Sequence, residues 1–435
     1  MASTYLTQTP SSSGNRKTFT LSLWMKRSST SYETFAGTGS GSTYLMFNIS
    51  SDQPRFFQST NAGESVEVQV SNKLRDCNAW YHLVFRVDTT QSTASDRVRI
   101  YINGEEASYA VTDYPSQNLD LYYNYNILHG FGARADGDAD FSGCMSHVHF
   151  ADGQSLAPTV FGETDSTTGE WKIITNPSFT LGTNGYSILK DGNTVTDQST
   201  NSNDWTVAAG TLTKTEDCPS NVFCTMNPLM VNPSATNTFA NGNNTVTINA
   251  TDACVGATLG ANSGKFYWEQ KWTQQGANDR WGVCPDDASM SNHPRTTGIG
   301  WDTASTQFYL LGSAVSGSWG GSIGTSEIIQ IALDLDNSAL YLGVNGTWRN
   351  SGNPTSGSSR TGAVNFSSSS LVGKFLLPAF GKGNQDNSTM QYNFGNGYFG
   401  TTAVSSAGTN ASGIGIFEYD VPTGYTALST KGLNE

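Results

Sequence analysis

Charge is scarce in this sequence. Asp, Glu, Lys and Arg make up 14% of its 435 residues, against about a quarter in an ordinary soluble domain. The polar surface must therefore come from Ser, Thr, Asn and Gln. What charge there is leans acidic, 36 Asp and Glu against 23 Lys and Arg, for a net −13. That balance argues against nucleic acid or an anionic membrane as the main partner. No apolar run approaches the length of a bilayer span, so no membrane insertion is expected. The opening residues, MASTYLTQTPSSSGNRK, lack a charged segment followed by an apolar one. No secretory signal is read there, and synthesis in a cytoplasm is expected. None of the cysteines, Cys77, Cys144, Cys218, Cys224, Cys254 and Cys284, stands in a Cys-x-x-Cys pair. The usual zinc frameworks are absent, and these thiols read as small buried apolar groups. Heptads and internal repeats are missing too, and with them a long fibre shaft.

What the sequence has is glycine, 46 residues, and aromatics, at 11%. That is enough ring surface for real cores in a loop-rich chain. Period-two alternation runs through "TFTLSLWMKR" at 18–27, "WYHLVFRVD" at 80–88 and "VRIYI" at 98–102. It returns in "GKFYWEQKWT" at 264–273, "IIQIALDLD" at 328–336 and "ALYLGV" at 339–344. Each is a strand with a buried face. Asn103-Gly104 and Asn345-Gly346 follow two of them, and Asn-Gly is the signature of a two-residue type I′ hairpin. The same strand–turn–strand–Asn-Gly order in both halves, without residue-by-residue alignment, predicts an all-β chain of two antiparallel β-sandwiches in series. The first sandwich is placed at 1–153 and the second at 236–400. Between them lies a turn-rich connecting region, 154–235, ordered in part by packing of Phe161, Trp171, Tyr186 and Trp205. A C-terminal segment, 401–435, follows.

Several stretches are familiar. "FTLSLWMKR", "WYHLVFRVD", "RVRIYINGE" and "DFSGCMSHVHFADG" resemble the LamG-like, concanavalin-like jelly rolls. "SGKFYWEQKW", "GIGWD", "IIQIALDLDNSALYLGVNGTW", "LLPAF" and "QYNFGNGYF" resemble a SPRY domain, itself a bent β-sandwich. The joins, "SHVHFADGQSLAPTVFGETDSTTGEW", "LGTNGYSI", "NSNDW", "PSNVFCTMNPL" and "VPTGYTALSTKGLN", resemble a family of structural proteins of tailed, marine-type phages. In that family a LamG-like domain, a linker and a SPRY domain run together, and the resemblance covers nearly the whole chain. It implies a virion protein made in the cytoplasm of a bacterial host: a tail-fibre or appendage subunit, or a capsid decoration. It further implies self-association, contact with other virion proteins, and lectin-like contact with a host surface glycan. The jelly roll begins near residue 5 with no docking domain ahead of it, so a compact accessory subunit is expected rather than a complete long fibre. The rival readings are a glycan-degrading depolymerase and a secreted cellular adhesin, the latter disfavoured by the missing signal.

Candidate chemistry is sparse. Retaining glucanases of the concanavalin-like fold carry an E-x-D-x-x-E strand, which aims two carboxylates into one cleft. Glu163–Asp165 and Glu418–Asp420 supply the first pair, but Thr168 and Thr423 stand where the last Glu would be, so no enzyme activity is expected. His147 and His149 flank one residue, as zinc ligands on a strand can, without a third ligand nearby; His82 and His293 are isolated. "ADGDADF" spaces Asp136, Asp138 and Asp140 two apart. It is not an EF-hand, because Phe141 and His147 fall where Gly and Glu belong. The spacing alone reads as an acidic loop, and the LamG resemblance implies a structural calcium there; no other cofactor is expected. Tyr122, Tyr123 and Tyr125, beside Asn residues, are the candidate sugar-stacking rings. A strand over 127–133 would span roughly 23 Å at about 3.3 Å per residue, setting the tyrosines and the aspartates at opposite ends. In the second half, Trp301 reads as core. Trp319, in the flexible "GSAVSGSWGGS", reads as the exposed contact of a peptide-gripping loop face.

Overall fold

The computed structural model describes residues 4–60, 65–190 and 195–434. It divides into two compact units, Met1–Lys214 and Thr215–Glu435. The fold is all-β; among the described residues the helical pieces are one α-helical turn, Pro294–Thr297, and four short 3-10 turns.

In the first unit an eight-stranded sheet packs on a six-stranded one. The larger sheet runs, in spatial order, Tyr109–Asp113, Val66–Val70, Gln53–Ser59, Thr43–Ser50, Glu33–Ser40, His129–Phe131, Tyr5–Gln8 and Thr206–Ala209. The smaller runs Tyr186–Ile188, Gly143–Asp152, Thr18–Arg27, Trp80–Asp88, Val98–Ile102 and Glu105–Glu106. Alternation decides the inner faces: Phe19, Leu21 and Leu23 meet Phe47, Phe56 and Phe85 in one fully buried cluster. The chain turns between Val98–Ile102 and Glu105–Glu106 at Asn103 (φ 49°) and Gly104 (φ 84°), the type I′ values that only Asn and Gly adopt readily. Asn103 adds a tether, its Oδ1 accepting the His82 N–H at 2.8 Å.

The segment read as a connector is divided between the units, and its first part is built into the first sandwich. Tyr186–Ile188 pairs with Gly143–Asp152, and Thr206–Ala209 pairs with Tyr5–Gln8. Phe161, Tyr186 and Trp205 are all buried. The two motifs "LGTNGYSI" and "NSNDW" clamp each other. Asn201 Nδ2 donates to the carbonyls of Gly182 and Gly185, and Asn203 Nδ2 to those of Thr183 and Gly185, at 2.6–3.0 Å. Trp205 then inserts between Phe131 and Tyr186.

The second unit is a seven-stranded sheet packed on a nine-stranded one, antiparallel except where Thr426–Ala427 runs parallel to Lys265–Gln274. Its core is a stack of rings, Trp272, Trp281, Trp301 and Phe308. Asn345 (φ 47°) and Gly346 (φ 80°) repeat the first unit's hairpin, and Asn345 Oδ1 again accepts a backbone N–H, from Ile328 at 2.9 Å. The ends of this unit also clasp. Cys224 N donates to Leu428 O, Thr430 N to Val222 O, and Lys431 N to Asn221 Oδ1. The C-terminal segment 401–434 is therefore part of the second sandwich, not an appendix to it.

Candidate functional site

The site of the first unit depends on two glycines. Gly130 and Gly37 stand opposite each other on neighbouring strands, and neither puts a side chain on the outer face of the eight-stranded sheet. After Phe131 the chain reverses at Gly132 (φ 80°), whose N–H donates to Phe35 O at 2.6 Å. Residues 133–135 then lie back across the sheet. A Cβ on Gly130 would sit 2.7 Å from Ala133 O and Ala135 N, and one on Gly37 would sit 3.0 Å from Leu45 O and 3.5 Å from Arg134 Cα. The strand expected over 127–133 is therefore only His129–Phe131. The fold-back brings the tyrosine and aspartate segments together instead of holding them apart.

Between them lies an open depression of about 460 Å³. Tyr122, Ile127 and Leu128 line it from one segment, Ala135 and Asp136 from the fold-back, and Gly39, Ser40 and Thr43 from a hairpin tip. Leu128 is 45% exposed and gives the depression an apolar wall. Arg134 grips Asp136 through two parallel bonds of 2.8 and 2.7 Å and reaches Asp138 at 3.1 Å. These bonds hold the Asp136 carboxyl below its usual range, so at neutral pH it is an ionised acceptor with lone pairs to spare. Arg134 sits where a calcium bridging Asp136 and Asp138 would have to sit. Among the described residues no three metal-ligating side chains gather anywhere.

The other sequence candidates separate. Tyr123 is core, packed on Phe19, Phe47 and Phe150 with its hydroxyl 3.1 Å from that of Tyr186. Tyr125 is exposed and lies under the Arg16 guanidinium, 4.3 Å from ring centre to Cζ, while the same group stands 6.0 Å from Tyr122. Trp319 is 3% exposed, which corrects its reading as a surface contact. Its ring meets Phe308 edge-on at 5.1 Å and its indole N–H donates to Val315 O. The Gly/Ser loop folds its one large apolar group inward because the core stack offers it a partner.

Sequence reasoning missed a row of side chains that continues from the depression across the sheet. Arg134 lies over Tyr44 at 4.9 Å, Tyr44 meets Phe57 at 5.8 Å, and Arg55 covers Phe57 at 4.4 Å and Tyr32 at 5.8 Å. Asn48, fully buried beneath, accepts from Arg55 Nε, and its Nδ2 has no partner. The signal was available: Tyr44 and Phe57 fall out of phase with core-facing Leu45, Phe47 and Phe56, so the outer face carries rings where Ser or Thr would be ordinary.

Groups resembling catalytic pairs have structural partners. His82 Nε2 lies 2.9 Å from Ser22 Oγ, and Trp171 Nε1 lies 3.0 Å from His82 Nδ1. An indole N–H can only donate, so Nδ1 accepts and the neutral ring carries its proton on Nε2. That proton points at Ser22, the reverse of what a general base needs. Burial between Trp24 and Trp171 holds the imidazole neutral, down to about 3. His149 is buried against Phe161 and bonded to Ser187, and His147 Nδ1 meets Ser146 Oγ at 2.7 Å. Glu163 and Asp165 share Lys172; Glu418 accepts from Ser405, and Asp420 from Thr409.

Residues 2–161 match the Laminin_G_3 family, the concanavalin A-like lectin/glucanases superfamily, and every residue lining the depression falls inside that span. Over this span the chain is similar to concanavalin A-like lectin and glucanase domains. Solved structures similar to the chain include the SPRY domain of human HERC1, at 14% identity over 38% of this chain and 96% of that one, TM-score 0.31. A heptameric SAP-like pentraxin from Limulus polyphemus is 13% identical over 35% and 71%, TM-score 0.27. Domain 4 of AbnA, a GH43 extracellular arabinanase from Geobacillus stearothermophilus in complex with arabinotriose, is 21% identical over 34% and 65%, TM-score 0.27. No curated protein matches the chain.

Proposed function

We propose that the concanavalin-like domain holds a host surface glycan in the depression of Tyr122, Leu128 and Asp136, and that the chain is a structural protein on the surface of a tailed-phage particle. The observation that carries the first half is the pairing of a half-buried aromatic ring and an exposed aliphatic side chain with one ionised acceptor. A sugar ring offers an apolar face to Tyr122 and Leu128 and a hydroxyl to Asp136. The acidic net charge and the pre-paired Arg134 favour a neutral sugar over an anionic one. Binding without cleavage is proposed, since the carboxylates at 163, 165, 418 and 420 already serve lysine or backbone partners.

The particle reading rests on the sequence joins that resemble phage structural proteins. As a tail appendage or capsid decoration, the chain would associate with itself or with other virion subunits. The test is immunolabelling and cryo-EM of the intact parent particle, together with binding of the purified chain to host envelope polysaccharide. The expectation is density on the particle exterior and a polysaccharide that is retained and not shortened. Absence from purified particles contradicts the particle reading, and release of reducing ends contradicts the non-catalytic one.

A further inference from the structure

In the second unit, strand Asp279–Pro285 pairs with strand Leu376–Lys382 so that Asp279 and Lys382 stand directly opposite. Both are fully buried, and Lys382 Nζ lies 2.8 Å from Asp279 Oδ1. Asp386 Oδ1 is 2.5 Å from the same Nζ. The other Asp279 oxygen, Oδ2, accepts from Ser388 Oγ at 2.5 Å and from Gly276 N at 2.9 Å. The backbone at Gly276 closes the cluster off: a Cβ there would lie 2.1 Å from Nζ and 2.6 Å from Asp386 Oδ1. Gly276 is thus required for space, not for an unusual φ.

A buried ion pair of this kind is costly, because both charges lose their water. It also presents an amine to a carboxyl carbon with the orientation already fixed, the condition under which an intramolecular reaction gains most. The remaining parts are those of acyl transfer. Two donors aim at the oxygen that gains negative charge as the carbon becomes tetrahedral. A second carboxylate touches the amine and can carry a proton.

We propose that Lys382 and Asp279 condense to an intramolecular isopeptide bond. Nζ gives one proton to Oδ1, leaving a neutral amine and a neutral acid. The nitrogen lone pair attacks Cγ, and the charge that develops on Oδ2 is held by Ser388 Oγ–H and Gly276 N–H. Asp386 takes a second proton from nitrogen and delivers it to Oδ1. The Cγ–Oδ1 bond breaks, one water leaves, and an Nζ–Cγ amide remains. No oxidant, cofactor or other reactant is needed. The product pins the ends of two adjacent strands and replaces two buried charges with one neutral group.

The test is the mass of the purified, denatured full-length chain. The expected value is one water below the mass calculated from the sequence. Trypsin should fail to cut at Lys382 and should yield a branched peptide joining 272–280 to 375–431. Lys382→Arg keeps a cation for Asp279 but cannot form the amide, so the full mass should return. Asp386→Ala keeps both reacting groups and should accumulate the open chain. A wild-type chain of full mass overturns the proposal, as does a lost water that maps to any other peptide.

Discussion

At the scale of single residues, burial decides what each candidate does. Tyr122 and Tyr123 are adjacent, yet one lines a depression and the other is core, because the chain turns here, with Asn124 at φ 63°, and carries only the second ring inward. Spacing therefore flagged the cluster but could not say which ring was free, and Trp319 turned inward for the same lack of long-range information. Glu269 shows burial acting on charge. It is fully buried in the second unit and accepts from Tyr267 Oη, from the backbone N–H groups of Glu418 and Tyr419, and from Asn393. Loss of water outweighs those donors and pushes its carboxyl up to about 7 from 4.5. Below 4.5 both the folded and the unfolded chain hold the proton, and the contribution to stability is complete. Between 4.5 and 7 only the folded chain holds it, so stability falls as pH rises and then levels off. Denaturant titrations of wild type between pH 4.5 and 7.5 should show this decline, and Glu269→Gln should lack that part of the slope. Because the amide sets an NH₂ against a cluster of donors, the variant should also be less stable by about 1–3 kcal/mol. A wild type and variant with parallel pH profiles would rule this account out.

At the scale of elements, local signals were legible and distant ones were not. The hairpins at Asn103-Gly104 and Asn345-Gly346 follow from two residues and their φ values, and the strands follow from alternation. The reversal at 132–141 depends on Gly37, nearly a hundred residues earlier in the chain, facing Gly130, which no local pattern displays. The clasps were legible only as phrases resembling those of a protein family; what they do emerges once "LGTNGYSI" meets "NSNDW" and "PSNVFCTMNPL" meets the C-terminal segment. Gly130→Ala is the direct test of the fold-back. Its Cβ collides with backbone, not with a yielding side chain, so a loss of about 1–3 kcal/mol is expected. Glycan affinity should fall as well, because Asp136 moves with the loop. A variant as stable as wild type, with unchanged binding, would show that the loop is not held by this close approach.

At the scale of the whole molecule, the family match ends at 161 but the first compact unit ends at Lys214. The difference is physical. Cutting at 161 strips the Tyr186–Ile188 strand from the Gly143–Asp152 edge, takes Asn184 from the buried Asp152, and removes Trp205 from Phe131. A chain of residues 1–214 should melt cooperatively with a near-ultraviolet dichroism signal, and 1–161 should not; a cooperative 1–161 would mean that the later segment is dispensable. The central claim, that the depression on this unit holds a sugar, is tested most directly by titrating host envelope polysaccharide into the full chain by calorimetry. Wild type is compared with Tyr122→Ala/Leu128→Ser, whose fold is checked by dichroism. The account predicts at least a tenfold weaker affinity for the variant, the loss of about 1.4 kcal/mol or more. Equal affinity in a folded variant would contradict it.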